Sequence, residues 1–83
     1  MTRTTFLAAY AAALAARART DPDYAYMDGQ PERIAATAAR MTASLAEGTA
    51  NVHGSPVLRS LSRTLGIANT HAGWRAFAGS LED

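Results

Sequence analysis

The sequence predicts an all-α protein, a compact antiparallel bundle of three main helices with a short C-terminal fourth helix closing one end. Three observations carry that reading. Alanine, the strongest helix former, supplies twenty of the 83 residues. Large apolar residues recur three or four apart in every segment and nowhere alternate at the strand period of two. Each segment is bounded by proline or glycine, the residues that start and stop helices. A chain this short supports one core, so residues 1–83 are read as a single helical domain.

The first helix is placed over about residues 4–19, where Phe6, Tyr10, Leu14 and Arg17 fall at helical spacing with Leu7 beside them. Asp21-Pro22 ends it, because a residue before proline resists the helical region. TDPDYAYMDGQ then reads as a loop, or a loop with one short turn. Pro31 suits a first helical position, and Ile34, Ala38, Met41 and Leu45 trace one apolar stripe down to a stop at Gly48. Ser55 caps a third helix with Pro56 in its first turn; Val57, Leu58, Leu61 and Leu65 give its inner face, and Gly66 its left-handed end. Asn69 or Thr70 caps the fourth, whose Trp74, Phe77 and Leu81 share one face, so the indole is expected to point inward.

Composition narrows the function classes. Net charge is +1, too small for a nonspecific nucleic-acid coat and of the wrong sign for an acidic DNA mimic. All eight cations are arginine, which offers the planar, bidentate contacts that lysine cannot. Four of the seven acids, Asp21, Asp23, Asp28 and Glu32, lie within twelve residues. No cysteine is present, which removes disulfides, thiol nucleophiles and thiolate metal sites and fits a reducing, cytoplasmic setting. No apolar run is long enough to span a bilayer, and the Ala-dominated stretch from Phe6 to Ala16 lacks a Leu-rich secretory core, so no membrane role is expected.

Chemistry is sparse. The two histidines, His53 and His71, lie eighteen positions apart with no third ligand at metal spacing, and read as a loop histidine and a helix-start histidine. Ser55 is accounted for by capping, and no carboxylate stands where it would orient a Ser–His pair. No glycine-rich phosphate cradle follows a strand. The expectation is therefore no enzyme, no cofactor and no metal.

Two binding readings remain. Residues 57–78 match the apolar skeleton of a helix-turn-helix, which would place Asn69, Thr70, His71 and Arg75 at base edges and Arg59 and Arg63 on phosphates. Gly73 inside the would-be reading helix counts against this at about 1 kcal/mol, as does the small cationic excess of the region. The other reading centres on the loop. Tyr24, Tyr26 and Met27 are residue types enriched at protein interfaces, and Asp21, Asp23 and Asp28 beside them suit a basic partner. The tyrosines could equally lid the core with their hydroxyls outward.

The C-terminal third, SPVLRSLSRTLGIANTHAGWRAFAG, resembles the end of small helical proteins encoded by bacteriophages and prophages. The features are the Ser55-Pro56 start, the Leu65-Gly66-Ile67 corner, Thr70 and the aromatic close at Phe77, together with the opening TTFLAAYAAAL. The middle segment DPDYAYMDGQ has no counterpart in that pattern. The resemblance implies an accessory protein of a mobile element, of the anti-CRISPR or anti-defence type. Such a protein would act stoichiometrically by occluding a host protein, for instance a CRISPR effector subunit, in the bacterial cytosol. A DNA-binding regulator is the first alternative, and a virion assembly protein, with homodimerisation through the Ala-rich first helix, is the second.

Overall fold

A computed structural model describes residues 1–83. The chain is all-α: α1 spans Arg3–Thr20, a 3-10 helix Pro22–Met27, α2 Pro31–Glu47, α3 Pro56–Leu65 and α4 His71–Gly79. The sole strand-like pairing is an isolated bridge between Thr2 and Glu82. The expected division into three main helices and a short fourth becomes two long helices and two short ones, since α3 has 10 residues and α4 has 9. No helix is long and apolar enough to cross a membrane.

The caps explain the boundaries. Thr2 accepts from the Thr5 amide at the start of α1, Ser55 from Leu58 at the start of α3, and Thr70, not Asn69, from Gly73 at the start of α4. Gly48 and Gly66 take φ values of 78° and 69° at the ends of α2 and α3, a left-handed conformation that a Cβ would strain. The Ile67 amide closes the second of these corners by donating to the Ser62 carbonyl at 2.9 Å.

One cluster forms the core. Phe6, Tyr10, Leu14 and Ala18 of α1 face Ile34, Ala38 and Leu45 of α2, Val57, Leu58 and Leu61 of α3, and Trp74 and Ala78 of α4. Two details depart from the sequence pattern. Arg17, expected on the α1 stripe, is exposed, and Ala18 takes the inner position. Met41, expected to be buried, is half-buried, while Thr42 is buried and spends its hydroxyl on the Ala38 carbonyl at 2.8 Å. That local bond satisfies a polar group that would otherwise cost about 1–3 kcal/mol in the interior. Val52 pins the α2–α3 connector to the core at 1% exposure.

Helix α1 packs on the 3-10 helix, α2 and α3, while α4 lies against α2, and no Cα of α4 comes within 8 Å of one in α3. The two ends of the chain meet beside this core. The Arg3 amide donates to the Glu82 carbonyl at 2.6 Å, the Glu82 amide to the Met1 carbonyl at 3.2 Å, and Arg3 Nε pairs with the Asp83 carboxylate at 3.0 Å.

Candidate functional site

The segment read as a loop, or a loop with one short turn, holds a six-residue 3-10 helix, and Asp21 caps it. One carboxylate oxygen accepts from the Asp23 amide at 2.9 Å, and the other accepts from Arg17 Nε at 2.7 Å, tying the turn to the last turn of α1. These contacts, the Asp23 amide first and the Arg17 guanidinium with it, hold the Asp21 carboxyl below its ordinary range. Asp21 therefore belongs to the scaffold beneath the surface and is only partly exposed.

Its neighbours divide by face. Met27 turns into the core at 6% exposure, which removes it from the surface expected to carry it. Tyr24 is half-buried against the core, with the Arg17 guanidinium 5.9 Å from its ring centroid. Tyr26 stands outward at 58% exposure, its ring covered on one side by Arg33 at 5.8 Å. Asp23 and Asp28 are exposed. The two tyrosines thus answer differently to the two readings of the sequence: Tyr24 lids the core and Tyr26 does not. Beside Asp28, a shallow open groove of about 300 Å³ runs between α1 and the start of α2, floored by Ala15 and Ile34 and edged by Arg19 and Asp28.

The α3–α4 corner is engaged internally. Trp74 is fully buried as expected, and its indole N–H donates to Asn69 Oδ1 at 2.9 Å. Thr70 is the helix cap, His71 Nε2 sits 3.0 Å from the Ala50 carbonyl, and Arg59 donates to the His53 carbonyl at 3.3 Å. The Arg75 side chain lies along Gly48, where an added Cβ would come 3.5 Å from Arg75 Cδ. Of the six residues that the helix-turn-helix reading placed on DNA, Arg63 and Arg75 are exposed and neither side chain makes a hydrogen bond or ion pair within the chain. Gly73 also has a reason to be glycine: a Cβ there would collide with the Ala68 carbonyl oxygen.

The fold further joins two side chains that the sequence leaves apart. The imidazoles of His53 and His71 meet edge to face with ring centroids 5.6 Å apart. Nothing in an eighteen-residue separation signals this contact. It arises because the α2–α3 connector returns to the start of α4, bringing both Ala50 and His53 against His71. No third His, Cys, Asp or Glu joins the two imidazoles, and no group of three or more such side chains that could hold a metal ion forms anywhere in the chain.

Comparison with protein-family models, with curated proteins and with solved structures finds no match for this chain.

Proposed function

We propose that this protein is a stoichiometric, protein-binding inhibitor that presents the face from Asp23 to Asp28 to a basic surface of a host protein. Tyr26 carries the reading. It is the one aromatic side chain more than half exposed, at 58%, and it stands on a turn already fixed by Asp21. A large amphipathic ring held in water on a rigid turn gains on docking without paying a large ordering cost, the property that makes tyrosine a frequent anchor of interfaces. Asp23 and Asp28 on either side favour a partner rich in Lys or Arg, and opposite charge speeds encounter as well as selecting the partner. The helices, arranged on this reading as an antiparallel bundle, serve to hold that turn.

The resemblance of the C-terminal third to phage accessory proteins directs the proposal to a bacterial defence component in the host cytosol. A CRISPR effector subunit, with a channel built to hold nucleic acid, has the required basic surface. The alternative use of residues 57–78 to read DNA has less support, because Asn69, Thr70 and His71 already serve Trp74, the helix start and Ala50. Assembly of virions through the face of α1 has no specific contact in its favour.

The test has two stages. Affinity capture from host lysate with mass spectrometry names a partner, and titration of that purified partner then compares variants. Replacing Asp23, Tyr26 and Asp28 together by alanine is expected to weaken binding by at least about tenfold with the melting temperature unchanged, as truncation of an anchor residue does. Arg63→Ala with Arg75→Ala should leave affinity intact. Equal affinity of the triple variant and the parent would refute the assignment of this face.

A further inference from the structure

The fold brings the imidazoles of His53 and His71 together at the start of α4, and we propose that they form a two-imidazole clamp for a borderline divalent transition metal such as Zn(II). Three observations build it. The first is the fixed tautomer of His71. A carbonyl only accepts, so the 3.0 Å contact with Ala50 places the ring proton on Nε2 and leaves the lone pair on Nδ1. Ligating histidines are oriented in this way, with the second ring nitrogen donating to a backbone carbonyl or a carboxylate.

The second observation is spacing. With metal–nitrogen bonds of about 2.0–2.1 Å and about 1.1 Å more to each ring centre, two imidazoles on one tetrahedral zinc have centroids about 5.2 Å apart. The rings of His53 and His71 stand 5.6 Å apart. Closing that difference needs only a small side-chain adjustment, and His53, exposed and without a ring hydrogen bond, is free to make it.

The third is the rigidity of the support. His53 sits between Val52 and Ser55, both buried, on a turn closed by the Gly54 amide donating to Asn51 Oδ1 at 3.1 Å. His71 is the first residue of α4, tied to the buried Ala50. Ligands mounted on such elements lose little freedom when a metal arrives. No carboxylate or thiolate joins them, so two coordination positions stay open to solvent. Arg59 lies close, donating to the His53 carbonyl. A site of two imidazole nitrogens with no carboxylate offers little to hard, oxygen-seeking cations such as Mg(II) and favours metals that bond strongly to imidazole.

Isothermal titration of the untagged, full-length chain with Zn(II) in a non-coordinating buffer tests the site, with nitrogen-15 NMR to locate the bound metal. One zinc per chain is expected, with the largest shifts at His53, Gly54, His71 and Ala72 and a raised melting temperature from ligand linkage. Mg(II) should produce neither effect. His53→Ala removes an exposed ring with no hydrogen bond and should fold normally, yet lower zinc affinity at least about tenfold. His71→Gln, which keeps an amide donor for Ala50, should do the same. Zinc affinity unchanged in His53→Ala, shifts centred elsewhere, or no saturable binding below about 1 mM would overturn the proposal.

Discussion

Tyr10 shows how much one side chain can report. Its ring belongs to the core at 3% exposure, and burial, aided by the neighbouring Tyr24 and partly offset by the Ser55 hydroxyl, pushes its phenol up to about 12. A raised folded-state value means that the neutral form is favoured by folding. Its contribution is complete below the ordinary tyrosine value near 10 and is lost as pH rises through 12. Stability should therefore fall by about 3 kcal/mol across that window, measured by denaturant titration at stepped alkaline pH, and Tyr10→Phe should flatten the loss. An unchanged alkaline limb in Tyr10→Phe would place the phenol in water. At this scale the sequence is partly legible. The i, i+3, i+7 spacing of Trp74, Phe77 and Leu81 foretells an inward indole, and Trp74 is buried. Its partner is not foretold, because the sequence offers Asn69 as a cap or a base contact, and neither is the indole acceptor it proves to be. Only the turn geometry selects that role.

Among elements, α4 separates what propensity says from what packing requires. Glycine at position 73 looks like a defect in a helix, worth about 1 kcal/mol against alanine. The close approach of the Ala68 carbonyl reverses that judgement. Gly73→Ala is expected to destabilise the fold by about 2 kcal/mol or more, since backbone stands in the way of the methyl. Gly79, at the other end of the helix, faces open space, so Gly79→Ala should stabilise by about 0.5 kcal/mol. Thermal melts of the two variants should move in opposite directions; movement in the same direction would show that α4 is not seated as described. Helix ends marked by Ser55-Pro56, Gly48 and Gly66 are legible because capping is local chemistry. The 3-10 helix over Pro22–Met27 is legible only as a short turn after Asp21-Pro22, since its length is set by how Met27 and Tyr24 pack on the core and not by the cap alone. The meeting of His53 and His71 is illegible for the same reason, being a product of how a connector returns.

At the scale of the whole molecule, the all-α class is visible in composition and period, while the partnership of elements is not. Residues 57–78 match a helix-turn-helix skeleton, yet the backbone of α4 lies against α2 and no Cα of it comes within 8 Å of one in α3, although side chains of both helices enter the one core. Adjacent helices in sequence need not be neighbours in space when a longer apolar stripe, here Ile34 to Leu45, offers more area. The pairing of Arg3 with Glu82 and Asp83 has a larger consequence. Residues 1 and 83 occupy adjoining places, so the fold is a ring lacking one link. Joining them through a short Gly-Ser bridge should remove about 4.5 kcal/mol of chain entropy from the unfolded ensemble and raise the melting temperature by about 18 °C or more. A circle no more heat-resistant than the linear chain would mean that the terminal pairing does not persist in solution. Opened instead at Gly29, an exposed left-handed glycine where an added Cβ would meet nothing, the same circle becomes a permuted protein with α2 first and α1 and the 3-10 helix last. Evolution or an engineer could then attach cargo at either of two edges of the molecule without disturbing its interior.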